Sequence, residues 1–165
     1  LANVIFSFLA KSKWVLFFMF RKSSAVEIFT DGSSKDGFGS WAYILSRRGE
    51  CFVENSGCMR GASSNVMEFQ AAIEALSSIP VNSKVTLFSD SRILIDAMTL
   101  GDCPRAYQTQ IDILMRLNQK HKITWQWIKA HNGNKFNERC DELCVLARLK
   151  SARELRGHFH RRRGK

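Results

Sequence analysis

The hydrophobic period of this chain first changes near Val66, and no other feature narrows its fold as much. Ahead of that point the apolar residues come in short blocks of strand type. Val26–Thr30 predicts a buried strand and Phe38–Leu45 a second, while Arg47-Arg48-Gly49-Glu50 makes a polar turn and Cys51–Ser56 returns as a third. Beyond it, Val66, Phe69, Ile73 and Leu76 recur at helical spacing until Pro80 stops the helix. Another apolar strand, "KVTLFSD", follows. A short helix carrying Ile93, Leu94, Ala97 and Met98 comes next and is broken by Gly101 and Pro104. Tyr107, Ile111, Leu114 and Leu117 mark a further helix, "ITWQWIKAH" a fifth strand, and Phe136–Leu149 a last helix. A three-stranded antiparallel meander followed by alternating helices and strands predicts an α/β fold: a five-stranded mixed sheet flanked by helices.

The chain's 165 residues suffice for one domain with a real core, and 45% hydrophobic against 24% charged residues describes a globular rather than a disordered chain. The net charge of +10 points to a polyanionic partner, but its distribution matters more than its sum. Residues 23–147 carry 13 basic and 14 acidic side chains, so the body is near neutral. The basic character lies in residues 1–22 and 148–165. A basic end is either a solvated tail or an arm for phosphate groups.

Five cysteines at positions 51, 58, 103, 140 and 144 form no tight framework, which fits a reducing, cytoplasmic setting. Cys140 and Cys144 share a helical face with Leu143 and Ala147 and are expected in the core. The N-terminal runs "LANVIFSFLA" and "WVLFFMF" are too short to span a bilayer. They are expected to be an upstream extension with Met19 as the natural start; the alternative is an amphipathic surface anchor. The expected layout is thus an apolar and basic extension over 1–22, a body over 23–148 and a basic tail over 149–165.

Two separate apolar strands end in an aspartate followed by small residues: Thr30-Asp31-Gly32-Ser33 and Ser89-Asp90-Ser91. Either aspartate alone reads as a strand-end or capping residue. Two matched strand ends read differently. If the strands are parallel neighbours, the carboxylates emerge side by side, and like charges so placed persist only beside a cation. Oxygen ligands of this kind select Mg²⁺ or Mn²⁺. Glu68 is a third candidate, although Asn65 and Glu68 also fit the N-cap and N3 positions of a capping box. Asp141 is a fourth, early in the last helix with Asn137 one turn before it. His131 opens a polar loop directly after the Trp-rich strand.

Together these pieces resemble type 1 ribonuclease H. The matching segments are "VEIFTDGSS", "SSNVMEFQAAIEAL", "LFSDS" and "ITWQWIKAHNGNKFNERCDEL", in the family's order over residues 25–147. The last carries H-x-G-x-x-x-N-x-x-x-D after W-x-W and is the most specific. The resemblance implies a ribonuclease H-like fold and an endoribonuclease that hydrolyses the RNA strand of RNA–DNA hybrids, leaving 5′-phosphate and 3′-hydroxyl ends. It implies that Asp31, Glu68, Asp90 and Asp141 bind two Mg²⁺ ions, with Mn²⁺ as a substitute. Asp31 would bridge the ions, Asp141 would complete the water-activating site, and Glu68 and Asp90 the site at the leaving oxygen. His131 would handle protons and product release. Gly32, Ser33, Ser34, Asn65, Met67, Ser91 and Asn137 would read the 2′-hydroxyl in the minor groove, Gly32 lacking a side chain so that the sugar-phosphate backbone can approach. Ser64, or its neighbour Ser63, would hold a phosphate of the DNA strand.

One departure stands out. Where the best-known bacterial pattern has a basic, Trp-containing protrusion, this chain has only "TLGDCPRAYQTQ". A neutral body must then borrow charge, and Arg161, Arg162 and Arg163 of the tail are the expected source of phosphate contacts. The expected partner is an RNA–DNA hybrid, with a monomeric protein and no stable membrane association. The alternatives are a ribonuclease H domain of a reverse transcriptase polyprotein, a non-catalytic hybrid-binding module, or a related nuclease-fold enzyme acting on DNA.

Overall fold

The computed structural model describes the backbone of residues 25–163 and the side chains of residues 25–155. The extension over 1–22, with its expected start at Met19, lies outside the described residues, as do the side chains of Arg161, Arg162 and Arg163.

Five strands form one mixed sheet. β1 (Val26–Lys35), β2 (Phe38–Arg47) and β3 (Glu50–Arg60) make the antiparallel meander, and β4 (Lys84–Ser89) and β5 (Lys122–Trp127) run parallel to β1. The order across the sheet is β3-β2-β1-β4-β5. Both meander turns use two residues with positive φ, Asp36-Gly37 and Arg48-Gly49. That conformation matches the twist of the strands it joins.

Among the described residues, four helices cover the faces: α1 (Ser64–Ser78), α2 (Arg92–Thr99), α3 (Gln108–Asn118) and α4 (Lys135–Arg163). A 3₁₀ turn over Arg105–Tyr107 leads into α3. The larger core lies on one face, where Val26, Ile28, Leu45, Val85 and Leu87 of the sheet meet Phe69, Leu76, Leu94 and Leu114 of the helices. The second core lies under α4. There Phe29, Ala42 and Ile44 pack against Cys140 and Cys144, both fully buried as small core residues. Phe29 also stacks on Phe88 at 4.7 Å and meets Phe136 at 5.1 Å, which fixes the start of α4 over β1 and β4.

Several boundaries differ from those predicted, among them that β5 stops at Trp127, and three of the differences matter most. β1 continues to Lys35 instead of stopping at Thr30, because β2 goes on pairing with it through Lys35↔Phe38. The small residues after Asp31 are therefore ladder residues and not a turn. β3 reaches Arg60 for the same reason, paired with Phe38. Finally, α4 does not end at Leu149; its backbone stays helical to Arg163, so the 148/149 boundary falls inside one continuous helix. No proline or glycine interrupts 135–156, which lets the helix run on past Leu149, and the single Gly157 does not end it.

Candidate active site

Register places the aspartates. The parallel ladder between β1 and β4 ends at the pair Thr30↔Ser89. Asp31 and Asp90 are the next residues on each strand, so they leave the sheet side by side. Asp31 is not at a strand end, since β1 runs on along β2, but it stands where its β4 neighbour stops. The change from parallel to one-sided pairing opens the space that the carboxylates share.

Glu68 arrives from α1. Its helix begins two residues earlier than a capping box at Asn65 requires: the N-cap is Ser63, whose hydroxyl accepts the Val66 amide. Glu68 thus does not fold back to cap the helix. Its side chain turns inward and is only 8% exposed. One carboxylate oxygen each from Asp31, Glu68 and Asp90 lie within 4.8 Å of one another.

This concentration of charge is electrostatically unfavourable by itself. Burial, repulsion from Asp90 and repulsion from Asp141 push the Asp31 carboxyl up to about 6, against a partial pull from the Gly32 amide. Burial, then Asp31 and Asp90, raise Glu68 well above the usual carboxylate range. Asp31 Oδ2 and Glu68 Oε2 are buried without a hydrogen-bond partner. Buried carboxylate oxygens that face one another and lack protein donors fit a hard divalent cation, which supplies both the missing ligand contact and the missing charge. Asp141, half-buried on α4, is near enough to act on Asp31, but it lies outside the tight group of three. His131 is exposed in the loop between β5 and α4, with a left-handed φ of 49°.

Asn137 joins α4 to this cluster. Its Nδ2 donates to Asp90 Oδ2 at 3.0 Å, and its Oδ1 is buried without a partner. Asn134 accepts the Phe136 and Asn137 amides through Oδ1, so the helix start that carries Asn137 is capped. Trp127 donates its indole N–H to the Asp90 carbonyl at 3.0 Å, and the Arg92 guanidinium lies 3.5 Å above its ring.

Most of the remaining candidates have definite structural employment. A Cβ on Gly32 would come 2.1 Å from the Glu68 nitrogen and 2.4 Å from the Met67 carbonyl carbon. What requires glycine here is thus the backbone of α1 pressed on β1. This contact is a steric reason for glycine that is independent of the expected one, approach of a sugar-phosphate chain. Met67 is fully buried. Asn65 donates to the Tyr107 hydroxyl at 2.9 Å, and Ser91 caps α2 by accepting the Leu94 amide. Ser34 and Ser64 are exposed.

Ser33 pairs with Ser40 across β1 and β2, and both hydroxyls take Nη1 of Arg148 on α4. Sequence reasoning counted Arg148 only among the tail cations. The available signal was its spacing: seven residues after Asp141 is two helical turns, hence the same face.

The comparisons with known proteins agree with this geometry. The family model described as RNase H matches residues 23–148, and the chain belongs to the ribonuclease H family. A ribonuclease H of Campylobacter jejuni (strain 81-176) is 37% identical over 139 residues, covering 78% of this chain and 94% of the relative. A ribonuclease H of Geotalea uraniireducens is 39% identical over 137 residues, covering 74% and 92%. Among solved structures, LC11-RNase H1 in complex with an RNA/DNA hybrid superposes with a TM-score of 0.69 at 18% identity, covering 77% of this chain and 99% of the other. The N-terminal RNase H domain of rv2228c from Mycobacterium tuberculosis, solved as a fusion with maltose binding protein, gives 0.68 at 18%, covering 81% and 99%. The five-stranded mixed sheet is thus the ribonuclease H fold.

Proposed function

We propose that this protein is an endoribonuclease that hydrolyses the RNA strand of RNA–DNA hybrids, giving 5′-phosphate and 3′-hydroxyl ends. The single observation that carries the proposal is the group of Asp31, Glu68 and Asp90 within 4.8 Å, with buried oxygens that no protein donor satisfies. Membership of a family whose relatives are named ribonuclease H supplies the substrate class.

Asp31, Glu68, Asp90 and Asp141 would hold two divalent cations, Mg²⁺ with Mn²⁺ as a substitute. Cations there supply charge neutralisation, a water made acidic enough to attack near neutral pH, and stabilisation of the leaving oxygen. The chain's own residues do the rest. Gly32 lets α1 close on β1 and so brings Glu68 to the aspartates. Asn137 orients Asp90 by donating to one of its oxygens, and keeps a free carbonyl acceptor beside it. Such an acceptor suits a 2′-hydroxyl, the group that separates RNA from DNA. The exposed serines Ser34 and Ser64, the half-buried Ser33, Asn65 and Ser91, and the Met67 backbone extend the same surface. His131, exposed beside the mouth of the last helix, is suited to carry protons between the site and solvent. The helical extension with Arg161, Arg162 and Arg163 would add phosphate contacts that do not depend on sequence. Cytoplasmic residence as a monomer belongs to the same proposal, supported by five cysteines that are all free.

The test is a labelled RNA–DNA hybrid with Mg²⁺ or Mn²⁺, wild type against Asp31→Asn. The wild type should cut only the RNA strand and spare duplex DNA, and the variant should lose at least about a hundredfold in rate. Equal activity in the two proteins would overturn the assignment.

A further inference from the structure

Arg148 is placed as few cations on this molecule are. It sits half-buried on α4 against the sheet, and its Nη1 donates to Ser33 Oγ and, at 2.7 Å, to Ser40 Oγ. Ser40 is fully buried, and the two hydroxyls lie 3.2 Å apart. Both acceptors are neutral. The ion pairs among the described residues all use Arg139, which Glu54 and Glu142 neutralise. Lys135 is taken by the Gly49 carbonyl, and Arg92 lies on Trp127. Arg148 combines partial burial, fixed neutral partners and a position on the acid-cluster face.

Removing a guanidinium from water is costly unless an anion meets it. Hydroxyls satisfy one of its nitrogens without cancelling its charge. A partly desolvated cation aimed by two serines binds an arriving anion without first losing side-chain freedom. Its location says which anion. Ser33 is two residues beyond Asp31 on the same strand and side, a step of about 6.7 Å. A nucleic-acid strand whose scissile phosphate lies at Asp31 carries its neighbouring phosphates at comparable spacing. The guanidinium also has its other donors left for the paired oxygens of such a group.

We propose that Arg148 is a further substrate-contacting residue, taking a backbone phosphate next to the scissile one, with Ser33 and Ser40 as its aiming device. This rests on the hybrid-cleaving function above and addresses how a near-neutral body grips a polyanion without a basic protrusion.

The experiment measures binding of an RNA–DNA hybrid by fluorescence anisotropy over a range of salt, alongside cleavage kinetics. The proteins are the wild type, Arg148→Gln and Arg148→Lys. Arg148→Gln should bind about tenfold more weakly, raise KM more than it lowers kcat, and reduce the slope of log K against log salt by about one. Arg148→Lys, which keeps the charge, should restore the slope and part of the affinity. In a set of hybrids each carrying one neutral methylphosphonate linkage, one position should weaken the wild type and leave Arg148→Gln no weaker than before.

A lower melting temperature with an unchanged salt slope would make Arg148 purely structural and overturn the proposal. So would identical responses of both proteins to every neutral linkage. A wild type that binds the hybrid but does not cut it would remove the catalytic function, while the salt slope and the neutral linkages would still decide the role of Arg148.

Discussion

Asn137 and Asp90 are 47 positions apart in the chain and 3.0 Å apart in space, the amide of one donating to the carboxylate of the other. The bond ties α4 to the end of β4. It also fixes which Asp90 oxygen remains for a cation. Deleting it should leave the fold intact and let Asp90 rotate. Hydrogen bonds to charged groups are worth about 1.5–3 kcal/mol. Asn137→Ala should therefore lower kcat about tenfold and raise the Mg²⁺ concentration needed for half-maximal rate. Asn137→Asp should cost more, since it sets a second carboxylate against the first. Steady-state cleavage rates over a Mg²⁺ titration check both.

The carboxylates were legible in the sequence because two of them follow apolar strands in the same way. Once β1 and β4 pair in parallel, that likeness becomes adjacency at Thr30↔Ser89. Glu68 was legible only through resemblance, and its local pattern misled: Asn65-x-x-Glu68 has the spacing of a capping box, yet Ser63 takes the cap. The length of β1 was hidden for a different reason. Gly32-Ser33-Ser34 has turn chemistry, and only the continued pairing with β2 keeps it extended. The Arg148 contact was only half visible: its spacing from Asp141 puts it on that face of α4, but which strand residues the helix crosses there no local spacing encodes.

The raised carboxyls predict how stability depends on pH and metal. Asp31 rises from 3.8 to about 6 on folding, so the folded state binds its proton more tightly than the unfolded state. Its contribution to stability is then fully present below pH 3.8 and is lost as pH rises through 6. Glu68 is shifted in the same direction. In EDTA the melting temperature should thus fall, from these groups, between about pH 4 and pH 6–7. Adding Mg²⁺ at pH 7.5 should recover a few degrees, and the same addition at pH 5 should recover less. Asp31→Asn removes the largest repulsive partner; in EDTA it should melt higher than the wild type at pH 7.5 and respond less to Mg²⁺. Scanning calorimetry at two pH values, with and without metal, reads all of this.

Gly32 predicts a steric outcome. A methyl group there would stand 2.1 Å from a backbone nitrogen of α1, and backbone cannot swing aside as a side-chain tip can. Either α1 withdraws from β1 or β1 bends. Gly32→Ala should therefore cost about 3 kcal/mol or more. Because Glu68 rides on the displaced helix, activity should fall further than stability alone explains. Urea denaturation together with cleavage at saturating Mg²⁺ separates the two effects. Ser34→Ala, at an exposed position on the same strand, should change stability by no more than about 0.5 kcal/mol.

The continuous α4 alters how the basic end should be tested. Ser151, Glu154 and Leu155 line a cavity of about 260 Å³ with Phe38, Cys58 and Arg60, so the helix beyond Leu149 is packed on the meander. Cutting at residue 150 would expose that surface and confuse binding with stability. Cutting at 156 keeps it. Residues 156–165 still carry five of the eight cations found from Arg148 onward. If Arg161, Arg162 and Arg163 contact phosphates, the truncated protein should melt within a degree or two of the full chain. It should bind hybrid about tenfold or more weakly at low salt, with a salt slope reduced by two to three. The cleavage products and the Mg²⁺ dependence should not move. Anisotropy at several salt concentrations gives the slope directly, and an unchanged slope would mean that these arginines are solvated and touch no phosphate.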